Sequence, residues 1–141
     1  MLKNIDPLLT GRLLKHLDQL GHGDVFGLVD RNFPAYRYDR PVIDLRAATT
    51  ETAAAALLSV FPLDSYVDHP IRRMEIDDQP DVINEAAAAL QRAADAAEGT
   101  TVSIQGVERF EFYRQAAEAR FLVQTGETIP YACYLLKKGV V

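Results

Sequence analysis

His22 stands between two glycines in Leu20-Gly21-His22-Gly23-Asp24, on a thin stretch of backbone that a ligand can approach closely. Val25-Phe26-Gly27-Leu28-Val29 follows and reads as a short buried strand, with Asp30 at its C-terminal end. His22 and Asp30 thus leave one strand from opposite ends, and spacing alone does not bring them together. With a histidine, acids, an arginine and tyrosines available, the chain has a set suited to moving protons on a polyhydroxy ligand. Opening a sugar ring at its anomeric centre needs one group to protonate the ring oxygen and another to take the anomeric proton. Histidine does either near neutrality, because its ordinary pKa is ~6.5. The glycine-flanked turn is the leading candidate for an active site; the other reading of His22 is a loop residue just past a helix cap.

Other chemistries fit poorly. His16, His22 and His69 lack metal-ligand spacing, and a single cysteine builds no zinc site, so no metal is expected. There is no G-x-x-x-x-G-K phosphate loop and no G-x-G-x-x-G after a strand. Cys133, in a strand, reads as a small buried residue rather than a reactive thiol. Fifteen Lys and Arg against twenty Asp and Glu give a net charge of −5, with the basic residues scattered, which argues against nucleic acid. The polar start, Met1 to Pro7, does not read as a signal peptide, and no apolar run approaches the ~18 residues of a membrane span. A lone cysteine suits a reducing compartment, and the expected location is the cytoplasm.

The elements that must position these residues follow from periodicity. Length and composition indicate one folded domain over residues 1–141. Asp6-Pro7 is expected to open a helix that carries Leu8 to Leu20 and ends at Gly21. After the strand at 25–29 and an aromatic loop come a strand at 42–45, a helix from Thr52 to Phe61 capped by Thr49 or Thr50, and a strand at 71–76. Asp77 to Asp81 marks a helix start, and Gly99 its end. A strand at 101–104 and a helix from Val107 to Ala119 follow, with Phe110, Tyr113 and Ala117 at core spacing. The runs 120–124 and 131–138 read as two strands joined by a glycine-containing turn. The fold expected is a single three-layer α/β domain, a largely parallel sheet flanked by helices, with a C-terminal strand pair closing one edge. In such sheets ligands sit outside the carboxyl ends of the strands, where Asp30 falls.

A resemblance narrows the function. Leu20-Gly21-His22-Gly23-Asp24, Asp30-x-Asn32-Phe33-Pro34-Ala35, Leu63-Asp64-Ser65-Tyr66, Glu108-Arg109-Phe110-Glu111-Phe112-Tyr113, Thr125-Gly126-Glu127 and Leu135-Leu136-Lys137-Lys138-Gly139-Val140 resemble the L-fucose mutarotase group. That group belongs to the wider family that includes the D-ribose pyranase. The match runs the length of the chain in the same order. The resemblance implies an enzyme without cofactor that interconverts α and β anomers of L-fucose or a related aldose. It also implies a ring-shaped homo-oligomer with sites between subunits, which would resolve the separation of His22 from Asp30. Carried over, His22 looks like the proton donor, Asp30 and Arg109 look like sugar-binding residues, and the segment from Tyr131 looks like the one that completes the pocket. Asp24 either orients His22 or satisfies turn amides, and Tyr113 either packs or lines the site. Tyr131-Ala132-Cys133 departs from the group's Tyr-Gly-Asn, exchanging an amide for a weakly hydrogen-bonding thiol, and Arg31 adds a cation beside Asp30. Those departures motivate a second reading, a sugar-binding or regulatory module without turnover, and a ribose-type pyranase is a third.

Overall fold

A computed structural model describes residues 1–141. In chain order it contains α1 (Gly11–Asp18), β1 (Val25–Val29), a 3-10 turn (Ala35–Tyr38), β2 (Val42–Leu45), α2 (Thr50–Leu58), β3 (Ile71–Met74), α3 (Glu85–Glu98), β4 (Ile104–Val107), α4 (Arg109–Ala116), β5 (Leu122–Thr125) and β6 (Tyr134–Lys137). The six strands form one sheet in the order β2-β5-β1-β6-β3-β4. Five run the same way, and β6 alone opposes them, pairing antiparallel with β1 and β3. No helix is long and apolar enough to cross a membrane.

Alternating side chains divide the core into two layers, as the pleat of a strand requires. On one face Phe26, Leu28, Ile43, Ile71, Val123, Tyr134 and Leu136 pack under α1, α2 and α3. On the other Val29, Met74, Leu122 and Leu135 pack under Phe112 and Ala116 of α4 and under Phe33 and Ala35. This is the expected three-layer α/β domain with a largely parallel sheet.

The C-terminal strands depart from expectation in position. β5 and β6 form from the two predicted runs, but they do not pair with each other and close no edge. β5 inserts between β2 and β1, and β6 between β1 and β3. Their sequences account for it: Leu122-Val123 and Tyr134-Leu135-Leu136 are buried on both faces, the signature of central strands rather than an edge pair.

Several boundaries also move. The first helix starts at Gly11 with Thr10 as its cap, while Asp6 closes a local turn by accepting the N–H of Leu8. That helix ends at Asp18 with Gln19 as its C-cap, and the left-handed residue of the following turn is Gly23 (φ 85), not Gly21. Asp77-Asp78 opens no helix; α3 starts at Glu85 behind an Asn84 cap and ends, as expected, at a left-handed Gly99. In α4 the buried face is Phe112 and Ala116, and Phe110, assigned to the core from spacing, is 67% exposed. The spacing rule found a helical stripe but not which of two adjacent stripes faces the sheet.

Candidate active site

The carboxyl ends of β1, β3 and β4 and the start of β6 meet at one end of the sheet. There Asp30, Asn32, Phe33, Met74, Arg109, Tyr113, Pro130, Tyr131 and Cys133 line a cleft of about 200 Å³. Drug-sized ligands occupy pockets of roughly 300–1,000 Å³, so this one suits a single small ring. Every residue from the sequence-based set lies here except His22 and Asp24.

Asp30 does two jobs with its two oxygens. Oδ1 accepts the backbone N–H groups of Asn32 (2.9 Å) and Phe33 (3.0 Å), fixing the loop after β1. Oδ2 stands 3.5 Å from the thiol of Cys133, which donates to it. Gln124 holds the same loop from β5, its amide donating to the Phe33 carbonyl at 2.8 Å. Cys133 is 1% exposed, and burial, reinforced by the Asp30 carboxylate, pushes its thiol well above the ordinary value. It is a neutral, unreactive group, as its reading as a small buried residue anticipated.

Arg109 opens α4, and its guanidinium sits 4.8 Å from the ring centre of Phe110 without an ion pair. Tyr113 lines the cleft, its ring 5.6 Å from that of Phe33. Its carbonyl accepts the Tyr38 hydroxyl at 3.1 Å. Tyr131 lies outside β6 in left-handed backbone (φ 63), unusual for an aromatic residue and costing about 1–3 kcal/mol. Its hydroxyl donates to Asp77 Oδ1 at 2.7 Å, and that carboxylate raises its pKa above the ordinary tyrosine value.

His22 is at the other end of the sheet. The five residues of β1 alone separate the two ends by roughly 16 Å. Its Nε2 lies 3.2 Å from Asp64 Oδ1, and its ring is 5.6 Å from that of Tyr66. The imidazole is 48% exposed, whereas Asp64 is only 3% exposed. The backbone N–H of Tyr66 and then the His22 ring hold the Asp64 carboxyl below its ordinary value, against the opposing effect of desolvation. With Nε2 bonded to Asp64, Nδ1 is the nitrogen left to meet a ligand.

The end of β6 brings this pair together. The backbone N–H of Gly23 donates to the Lys138 carbonyl (2.8 Å), and the backbone N–H of Asp64 donates to the Lys137 carbonyl (3.1 Å). Gly139 lies so close that a Cβ there would be 2.3 Å from the Leu63 carbonyl oxygen, so only glycine lets the tail clamp the Leu63-Asp64 backbone. Asp24 belongs to the turn: its Oδ2 accepts the Gly21 N–H at 2.8 Å, and His22 takes Asp64 instead. Asp64 was missed as a functional residue by sequence reasoning. The only signal was an acid in a conspicuous Leu-Asp-Ser-Tyr loop, with nothing in its spacing to point at a histidine 42 residues earlier.

A single copy therefore holds, at opposite ends of the sheet, a cleft without a histidine and a partly exposed histidine with a buried acid behind it.

Several known proteins are similar to this chain. An L-fucose mutarotase of Haemophilus influenzae (strain 86-028NP) is 34% identical over 140 residues, covering 99% of this chain and 97% of that protein. The crystal structure of protein Atu2016 is 40% identical and superposes at a TM-score of 0.95, covering 100% of this chain and 97% of the other. The fucose mutarotase of Streptococcus pneumoniae, solved in complex with L-fucose, superposes at 0.90 with 33% identity over 99% of both chains. Residues 3–141 match the model of one family throughout, and the chain belongs to that family, the RbsD / FucU transport protein family.

Proposed function

We propose that this chain is a cytoplasmic sugar mutarotase, interconverting the α and β anomers of L-fucose or a related aldose. The observation that carries the reading is the cleft itself: acceptors at Asp30 and Tyr131, a donor at Arg109, and apolar walls of Phe33, Met74 and Tyr113 around a space for one ring. The names of its relatives, L-fucose mutarotases, support it.

The chemistry needs little beyond positioning and one proton carrier. Asp30 and Tyr131 accept sugar hydroxyls while Arg109 donates to a sugar oxygen. His22 delivers a proton to the ring oxygen while solvent water takes the proton of the anomeric hydroxyl; the ring C1–O bond breaks and C1 becomes an aldehyde. Rotation about C1–C2 and reversal of the proton movements close the other anomer. Asp64, bonded to Nε2, fixes the ring so that Nδ1 is the nitrogen turned to the sugar.

The cleft and His22 of one copy are too far apart to share a sugar, so the reading includes self-association: His22 of one copy completes the cleft of another in a closed ring. An apolar groove of about 470 Å³ beside His22, lined by Leu14, Leu17, Val60 and Phe61, offers a neighbouring copy a seat. Light scattering is expected to report a mass several times the 15.7 kDa of the chain; a monomer in dilute buffer defeats the shared site.

Saturation-transfer NMR on a panel of pentoses, hexoses and deoxyhexoses tests the reaction directly. Faster α/β exchange is expected for L-fucose or a close aldose, and unchanged rates across the panel sink the proposal. The same spectra separate a ribose-type pyranase by which ring forms interconvert. One observation favours a second reading, a sugar-binding module without turnover: the Asp30 oxygen not engaged by the loop amides already holds the Cys133 thiol. That reading predicts ligand-induced stabilisation with no faster exchange. Under the mutarotase reading Cys133→Asn supplies an amide donor and acceptor, and the L-fucose concentration at half-saturation is expected to fall about two- to twelvefold, the worth of one neutral hydrogen bond.

A further inference from the structure

Directly after β3 the chain makes a tight hairpin. Ile76 and Gln79 pair antiparallel, with the Gln79 N–H donating to the Ile76 carbonyl at 2.9 Å. The two residues between them, Asp77 and Asp78, both have left-handed backbone, at φ 49 and 58. Positive φ at both central positions is the two-residue turn that matches strand twist, and it accepts Asp, Asn and Gly. The hairpin is anchored from below: the buried Arg73 guanidinium donates to the Pro80 carbonyl. Asn84, the cap of α3, donates to the Pro130 carbonyl at 3.0 Å, tying the far end of this segment to the residue before Tyr131.

Two left-handed segments are thereby held face to face, and the bond between them is Tyr131 Oη to Asp77 Oδ1. Tyr131 and Arg109 line the sugar-sized cleft on one side and, on the other, a cavity of about 210 Å³ bounded by Glu75, Asp77, Asp78 and Glu108. Tyr131 is the partition between them. A phenol has one proton and two lone pairs. Since the proton is committed to Asp77, the oxygen can meet the cleft only as an acceptor. Without Asp77 the phenol is no longer held in one orientation, and a sugar hydroxyl must itself fix the Tyr131 proton before it pairs with that oxygen.

We propose that Asp77 is a positioning residue of the cleft: it holds Tyr131 as a hydrogen-bond acceptor and so selects aldoses that present a hydroxyl donor at that point. The proposal rests on the mutarotase reading and adds a residue that touches no sugar. Because the turn accepts glycine and asparagine, Asp77→Gly and Asp77→Asn remove the carboxylate while keeping the hairpin.

The test measures catalysed exchange of the best sugar of the panel against sugar concentration, for the parent, Asp77→Gly, Asp77→Asn, Tyr131→Phe and the Asp77→Gly/Tyr131→Phe double variant. Half-saturation is expected to rise about five- to tenfold for Asp77→Gly and for Tyr131→Phe, and about threefold for Asp77→Asn, with kcat changing less than threefold. The double variant is expected to be no worse than Tyr131→Phe alone, since both remove one interaction. With tyrosine labelled at Cζ, the Tyr131 phenol is expected to titrate above its ordinary value in the parent and to return toward it in Asp77→Gly. An Asp77→Gly variant that saturates at the parent's sugar concentration, or a double variant whose penalties multiply, overturns this proposal and leaves the mutarotase reading standing. A parent that exchanges no sugar overturns the mutarotase reading, and this proposal with it.

Discussion

Replacing His22 by alanine is expected to slow catalysed anomer exchange by about 10²- to 10⁴-fold, the range a positioned acid–base group contributes. The fold is expected to survive, because the imidazole is half exposed and its one hydrogen bond is to Asp64. Circular dichroism and the melting temperature check the second point, and saturation-transfer NMR the first. Asp64→Asn tests the same pair from behind. It keeps the shape and exchanges the carboxylate that orients the imidazole for an amide, so it is expected to lower the rate less than His22→Ala while leaving sugar saturation in place. The decisive version uses two damaged chains. His22→Ala keeps the cleft intact, and Arg109→Ala keeps the histidine intact. If each site is built from two copies, co-assembling the two variants restores some sites, about a quarter of them for equal random mixing in a closed ring. No recovery means that cleft and histidine do not meet between copies.

The largest effect on stability is expected at Glu127. This carboxylate is buried and receives three backbone N–H groups: Thr128 (2.8 Å) and Ile129 (3.0 Å) on one oxygen, Thr50 (3.0 Å) on the other. Thr50 is the first residue of α2, so Glu127 also caps that helix from the loop after the neighbouring strand β5, where a negative charge meets the positive end of the helix dipole. Glu127→Leu strands all three donors, and it is expected to cost about 3–5 kcal/mol in a denaturant titration, a large share of an ordinary domain's stability. Glu127→Gln retains an acceptor and is expected to cost about 1–2 kcal/mol. The pH dependence has a definite sign. Desolvation pulls the carboxyl upward, but the N–H groups of Ile129, Thr50 and Thr128 outweigh it and hold the folded-state pKa below the ordinary 4.5. The stabilisation is therefore fully present above 4.5 and is lost as pH falls through the lowered value. Glu127→Leu should flatten that acid limb. A variant as stable as the parent would show that water replaces the carboxylate at all three donors.

Much of the cleft could be read from the sequence because its residues sit at element ends. Asp30 follows an unbroken apolar run, and the rule that ligands meet the carboxyl ends of parallel strands applies to it directly. Arg109 was assigned correctly to the first turn of a helix. Tyr131 and Cys133 drew attention only through the resemblance, since nothing local distinguishes a residue before a strand from one within it. Glu127 stands in Thr125-Gly126-Glu127 without a legible role, because two donors from its own loop and a third 77 residues away leave no periodic trace. Asp77 was misread for a physical reason: Asp-Asp before Gln-Pro is equally good chemistry for a helix start and for a left-handed turn. Only the pairing of Ile76 with Gln79 decides between them. Phe110 and Phe112 show the limit of periodicity on a helix of eight residues, where two aromatic stripes compete and tertiary packing chooses.

The central place of β6 bears on how the chain reaches this structure. β2, β5 and β1 make one half of the sheet and β3 with β4 the other, and residues 134–137 are the only strand that joins them. All five other strands precede β6 in the chain, so neither half can dock on the other until that last segment finds its slot between Gly27 and Arg72. The pairings that matter most are the ones farthest apart in sequence, and their loop-closure cost falls before any reward. Folding should accordingly be slow and late-committing, with two unfinished sheet edges exposed in the meantime, the circumstance in which a stray strand from another chain is most easily accepted.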